Sequence, residues 1–343
     1  MSTDATLSTH SELNTINIDI LRYSIGVVLP VIIMVFFQWE MAYITPTLVT
    51  LMLAPTSPKL TSKVIKSIVL ALVGALCLGI VLTRLVATFP LVALIGIGWS
   101  LYLIFYRAIK GDNLLITVIW LMSVLAYPSM AALDINLSID TALGVTIAFL
   151  LAMVCSVLVQ FVFPPQSKIS LPKAELKNAT ARKIAGLNTL VLLPIIAAFL
   201  MFDLQVAMLT LIYVGILVLS SDLQKGIRAC MGVLLANLLG GIIAIICFEL
   251  LVMVPIAPFY VLLMFFVISS LARAIFTSEK GALLASALSC LMLLLTDVTN
   301  TTGFDMDYAF YERWLFIALA NLYVVGCFMV LTAIGWLKMD SNT

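Results

Sequence analysis

The stretch Pro164–Lys183, PPQSKISLPKAELKNATARK, carries five basic residues (Lys168, Lys173, Lys177, Arg182 and Lys183) against a single acid, Glu175. It is the one long polar run inside a chain that is otherwise mostly hydrocarbon. Pro164, Pro165 and Pro172 stop a helix and delay the next one, because proline lacks the N–H and clashes with the preceding turn. Apolar blocks of similar length lie on either side. We therefore read residues 164–183 as a cytoplasmic basic linker between two copies of one membrane repeat, 21–163 and 184–338. A polar tail, 1–20, precedes them and a short one, 339–343, follows.

The flanking blocks cannot be soluble. The 343 residues are 63% hydrophobic and only 10% charged, with a mean hydropathy of +1.20. Soluble domains carry about 25% charged residues, so this chain could not cover its own surface in water. The apolar runs are too long for barrel strands and do not alternate, which predicts transmembrane helices in a lipid bilayer. A net charge of +1 and the lack of a dense basic patch argue against nucleic acid as a partner. The six cysteines lie singly in apolar runs and read as small buried hydrophobes. With His10 the sole histidine, a histidine-based metal site is excluded. The N-terminus lacks the basic start and early apolar core of a cleaved signal, so it is expected to stay on the mature protein.

Taken in order, apolar segments run at about 21–37, 41–53, 64–87, 91–105, 114–131 and 142–163. After the linker they resume at about 185–201, 206–219, 227–248, 255–271, 282–296 and 314–337. A full span needs about 20 residues, and the second segment of each half is short for that. The first pair of each half is thus either a tilted hairpin of two spans or a half-penetrating one. The basic residues set the orientation. Lys59, Lys63, Lys66, Arg107, Lys110, the five in the linker, Lys225, Arg228, Arg273, Lys280, Lys338 and Arg22 share one side. Of the 18 Lys and Arg residues, that leaves Arg84 and Arg313 opposite. The expectation is an all-α polytopic membrane protein of about twelve segments in two parallel six-segment repeats, with both termini cytoplasmic.

The halves can be laid over each other. Val28-Leu29-Pro30 and Leu192-Leu193-Pro194 both lie in first segments that end aromatic-acid, at Trp39-Glu40 and Phe202-Asp203. Ile65-Lys66 and Ile227-Arg228 open the third segments, which carry Gly79 and Gly241 at matching depth. Arg107-Ala108-Ile109 leads to Lys110-Gly111, and Arg273-Ala274-Ile275 leads to Lys280-Gly281 after a four-residue insertion. An even number of crossings per repeat makes the copies parallel, related by an axis along the membrane normal. A pathway is expected where two such repeats meet, with Gly74, Gly79, Gly96, Gly98, Gly232, Gly240 and Gly241 letting helices approach there.

On these residues the chain resembles the fusaric-acid-resistance-like superfamily of aromatic acid exporters, which includes the aluminium-activated malate channels of plants. The resemblance spans 21–337 and rests on the short hairpins, the basic third-segment starts, the two Arg-Ala-Ile turns and the sixth and twelfth segments led by Asp140 and Glu312. Larger exporters of this type carry a soluble domain between or after the modules, whereas here a short linker joins them. It looks more like a compact subfamily of unassigned function that works beside a periplasmic adaptor of the membrane-fusion type. The resemblance implies a bacterial inner-membrane location and efflux of small organic anions, with aromatic carboxylates foremost. Self-association into a homo-oligomer is a further expected partner relation.

Candidate residues each carry two readings. Arg107 and Arg273 either gather a carboxylate substrate through paired N–H contacts or merely fix topology and cap helix ends. Glu40 and Asp203, at the hairpin tips, either carry protons within the membrane or sit in solvated loops. Asn237, Asp297 and Asn321 are pathway candidates, against interhelical hydrogen bonding for the asparagines and a solvated helix end for Asp297. No P-loop, dinucleotide fingerprint or nucleophile–base pair is present, so neither a cofactor nor an enzyme activity is expected. Uphill transport would then draw on an ion gradient or a partner. The competing classes are a membrane scaffold or adaptor-docking subunit without its own pathway, and a passive anion channel.

Overall fold

The computed structural model describes residues 2–37, 44–55, 57, 59–131, 134–164, 178–202, 211, 214–215, 218, 223–278, 280–300 and 306–333. All regular structure among them is helical. In chain order the first six helices are α1 (Ser2–Phe37), α2 (Ile44–Met52), α3 (Ser62–Thr88), α4 (Pro90–Ile109), α5 (Leu114–Met130) and α6 (Ile135–Val162). They are followed by α7 (Asn178–Phe202), α8 (Leu223–Met253), α9 (Ala257–Thr277), α10 (Gly281–Asn300) and α11 (Met306–Ala333). Leu211, Val214, Gly215 and Val218 are helical too, within the eighth apolar segment. Eight of the described helices are long and apolar enough to cross a bilayer. The chain is an all-α, multi-pass membrane protein.

Local sequence sets many of the boundaries. Pro90 opens α4, where its missing N–H costs nothing. Gly111, at φ 94°, follows α4 in the left-handed conformation that glycine tolerates best. The Asn113 carboxamide then accepts the Leu115 N–H at 3.1 Å and caps α5. Asp134 does the same for α6, accepting from Asn136 N–H at 2.9 Å. Two ends differ from the sequence reading. The polar tail 1–20 is part of α1, which begins at Ser2, because no Gly or Pro interrupts the chain before Gly26. The last residues of the expected linker, 178–183, form the start of α7, and residues 165–177 lie outside the described residues.

The helices sort into two compact units. The first draws on Met1–Ile65, Ile147–Pro172 and Leu235–Phe310; the second draws on Lys66–Thr146, Lys173–Leu234 and Tyr311–Thr343. Inside the first, α1 packs along α9 and α2, α2 packs on α10, and α9 packs on α10. Inside the second, α7 packs along α4, α4 packs on α5, and Gly215 meets Leu121 and Leu125 of α5. Both units thus use one scheme, in which first segment meets fourth and second meets fifth. Each takes its opening hairpin from one half of the sequence and its partners from the other. The compact unit and the sequence repeat are different divisions of this chain.

The fifth segments form the centres. In α5, Leu121 and Val124 are fully buried, and in α10 Leu288, Leu291, Met292 and Leu295 are too. A helix that is apolar on all faces belongs inside. The 17 residues of α5 rise about 25 Å, short of a hydrocarbon core of about 30 Å. A helix enclosed by others need not match the bilayer. The nine described residues of α2 rise about 14 Å, and residues 38–43, which precede them, lie outside the described residues. Large side chains such as Leu91, Phe161 and Leu322 stand on the outer surface, as lipid-facing positions do.

Glycines work within each unit, some inside one sequence repeat and others between the two: a Cβ on Gly98 of α4 would lie 2.8 Å from the Leu193 side chain of α7. A Cβ on Gly79 of α3 would run into the Tyr127 ring of α5, and one on Gly74 would lie 2.8 Å from Trp120. A Cβ on Gly240 of α8 would strike the carbonyl oxygen of Ala287 in α10. Third segment therefore lies against fifth in both units. Gly232, on the same helix as Gly240, has nothing within 4 Å. Gly240→Ala should lower the melting temperature in detergent, since backbone cannot yield as a side chain can, at a cost of about 1–3 kcal/mol. Gly232→Ala should leave it unchanged or raise it slightly. Equal melting temperatures for the two variants would contradict this α8–α10 contact.

Candidate functional site

The sequence candidates divide between the units. Arg107, in the last turn of α4, is exposed in the second unit. Arg273, near the end of α9, is exposed in the first, and its carbonyl accepts from the Thr277 hydroxyl at 2.8 Å. Asn237 of α8 and Asn321 of α11 are buried, in the first and second unit respectively. Glu40 and Asp203 lie outside the described residues; Asp297 is on α10, but its side chain is outside them too.

A polar lane that the candidates did not include runs through the first unit. It starts on α1, where Arg22 Nη1 lies 2.7 Å from Asp19 Oδ1 with both side chains almost wholly buried. The next residue, Tyr23, is fully buried and meets the Phe276 ring of α9 edge-on at 5.9 Å between centroids. Its hydroxyl makes a long 3.5 Å contact to the Thr50 carbonyl of α2. Thr50 Oγ1 lies 2.7 Å from Ser289 Oγ of α10. Ser289 is eight residues, or about 12 Å, into α10. The lane therefore reaches well inside the bundle.

Proton counting shows how it can rearrange. The Thr50 hydroxyl also reaches the Thr47 carbonyl at 2.7 Å, and the Ser289 hydroxyl reaches the Ala285 carbonyl at 3.0 Å. Two hydroxyl protons serve three contacts, so only two can be made at once. Thr45 Oγ1 and Thr47 Oγ1, in the first turn of α2, are buried without a hydrogen-bond partner among the described residues. Such groups in an apolar interior retain unused capacity for a polar guest or water. Beyond α2 the chain is non-helical, and side chains tie it down. The Ser57 hydroxyl donates to the Leu51 carbonyl, and Gln160 Oε1 accepts the Leu60 N–H at 3.2 Å. Irregular backbone survives next to hydrocarbon only with such partners.

The second unit uses its hydroxyls differently. Ser138 donates to the Tyr127 carbonyl at 2.7 Å and lies 2.9 Å from Thr83, while Ser123 donates to the Ala75 carbonyl. These bonds tie α3, α5 and α6 together. Asn321 is the exception. Neither its Oδ1 nor its Nδ2 has a partner among the described residues, and Asn188 Nδ2 has none either. Among the described residues, the interhelical hydrogen bond offered as the ordinary account of Asn321 is therefore not made. Sequence reasoning assigned Arg22 to topology and Asp19 to a tail. The available signal was an acid and a base three apart on a helix, followed at once by tyrosine.

Comparison with known proteins adds one finding. A family model described as "Protein of unknown function (DUF2955)" matches residues 19–159. The matched stretch takes in Asp19, Arg22, Tyr23 and Thr50, and the whole of α2. No curated protein and no solved structure matches the chain.

Asp19→Asn leaves the Arg22 cation buried opposite a neutral group, and Arg22→Gln does the reverse. Each single variant should cost about 3–5 kcal/mol, seen as a large drop in melting temperature and in detergent-extracted yield. The double variant Asp19→Leu with Arg22→Met should recover most of the loss. A double variant whose loss equals the sum of the two single losses would show that the two groups act separately.

Proposed function

We propose that this chain is an inner-membrane transport protein that exports small organic anions, aromatic carboxylates foremost. One observation carries the reading. A buried ion pair leads through Tyr23 to hydroxyls set between α2, which stops at Met52, and the central helix, α10. Ionisable groups inside membrane bundles are costly and mark solute or proton paths. Interrupted helices at depth are the usual architecture of solute sites in secondary transporters. A scaffold that only docks a partner has no need of either.

The substrate class comes from the resemblance to the fusaric-acid-resistance-like exporters, and it fits the exposed cations. Arg107 and Arg273 would collect a carboxylate by paired N–H contacts from the side where the basic residues gather. Both termini would face that side, the cytoplasm of a bacterial cell. Glu40 and Asp203 are the proposed proton carriers, with an ion gradient as driving force and a periplasmic adaptor of the membrane-fusion type completing the export route. Asn321, whose amide groups have no partner among the described residues, is the proposed polar contact in the second unit. Asn237 and Asp297 are proposed to line the route in the first.

A flux assay in proteoliposomes with an imposed pH gradient tests the reading. Uptake or release of benzoate-like acids should saturate and should scale with the gradient. Flux that persists unchanged when the gradient is collapsed would identify a passive channel. No flux above protein-free vesicles for any aromatic or aliphatic acid would favour the scaffold. In the same assay, Arg107→Gln combined with Arg273→Gln should lower flux more at low salt than at high. Exposed cations act over only about 8–10 Å at physiological ionic strength. Parental flux from this variant at low salt would reduce the arginines to topology anchors.

A further inference from the structure

We propose that the cleft between α7 and α11 holds one acyl chain of an anionic phospholipid, whose phosphate is bound by Lys183 and Arg182. The cleft lies wholly within the second unit and encloses about 390 Å³, within the range of small-ligand sites. Its origin is local. Pro194, inside α7, has no N–H to give the Leu190 carbonyl one turn back. Tyr323 of α11 bridges to that turn, its hydroxyl donating to the Val191 carbonyl at 2.8 Å. That bond spends the one strongly polar group at the site. Gly326 forms the facing wall, and a side chain there would meet nothing within 4 Å. Cys327 completes an apolar lining.

Two features name the occupant. Leu190 at the lip is 54% exposed, on an outer surface that carries Leu322 and Met329. The cleft therefore opens where hydrocarbon chains are the solvent. The second feature is charge. Lys183 precedes Leu190 by seven residues and Pro194 by eleven, so all three lie on one face of α7 at two and three turns. Along the axis Lys183 is about 10 Å from the lip and about 16 Å from the proline. A chain lying in the cleft brings its headgroup to that level. Lys183 and Arg182 are both exposed, and the first turn of α7 holds no acid to neutralise them. A basic pair at the end of an apolar slot selects an anionic lipid over a zwitterionic one. The lipid belongs to the leaflet on the linker side, and its binding is independent of the proposed export activity.

The test uses the full chain, purified and delipidated in detergent, with lipid added back and melting temperature as readout. Phosphatidylglycerol should stabilise the parent more than phosphatidylcholine does. Arg182→Gln with Lys183→Gln should weaken the apparent affinity for phosphatidylglycerol by about 30-fold, bringing it to the level of phosphatidylcholine. Gly326→Leu should fill the slot and remove stabilisation by both lipids without lowering the lipid-free melting temperature. Equal stabilisation of the parent by the two lipids would overturn the headgroup assignment. Unchanged lipid responses in both variants would place the lipid elsewhere. Loss of a dimer on light scattering for Gly326→Leu, with lipid responses intact, would make the cleft an interface between copies and also overturn the proposal.

Discussion

In hydrocarbon a peptide group has nothing to bind except another peptide group or a side chain that reaches it. That constraint governs this chain from end to end. It makes every long apolar segment a helix and leaves short segments with a problem. The end of α2 at Met52 leaves the carbonyls of its last turn in need of partners. The solution here is enclosure. α2 lies against α1 and α10, and the turn that follows it is bonded by Ser57 and Gln160. Only a bundle that supplies such partners can house a helix that stops there.

Enclosure in turn explains the pairing. A short second segment and a short fifth segment satisfy each other, and the longer first and fourth segments shield them. The chain meets this demand twice with the same scheme, α1 with α9 and α2 with α10, then α7 with α4 and Gly215 with α5. In both cases the partner comes from the other half of the sequence. Glycines on the third segments complete the packing by admitting Tyr127 of α5 and the Ala287 carbonyl of α10 at contact distance. With the centre enclosed, an ion pair and several hydroxyls can be kept there. Asp19 and Arg22 neutralise each other, and Thr50 and Ser289 share protons with nearby carbonyls.

Much of the helix layout was legible in the sequence, because a run of about 20 apolar residues has one stable form in a membrane. Each apolar segment of 114–131, 255–271 or 282–296 has a described helix within a few residues of its expected ends. The departures have a common cause. Polarity was read as irregular chain, yet α1 continues through its polar start and α7 begins inside the basic linker. Nothing in residues 2–20 or 178–183 breaks a helix. The crossed pairing was not legible, since contacts such as Thr50 with Ser289 join residues 239 apart in sequence, and periodicity carries no information at that range. Asn321 was legible as a polar residue in an apolar run, but only the structure shows that its amide has no partner among the described residues. The ion pair was visible as an acid and a base three apart, and it was hidden by assigning one to a tail and the other to topology.

The crossed pairing can be trapped directly. In a variant with the six native cysteines replaced and a protease site placed in the linker, Thr50→Cys with Ser289→Cys brings two thiols to where hydroxyl oxygens lie 2.7 Å apart. That is close enough for a disulfide with little backbone movement. After mild oxidation and cleavage in membranes, the two halves should run as one band on a denaturing gel and separate on reduction. Gly98→Cys with Leu193→Cys should behave the same way, because a Cβ at Gly98 would lie 2.8 Å from the Leu193 side chain. If neither pair links the halves, while control pairs within one half do, the first and second segments pack on their own half and the crossed scheme is wrong.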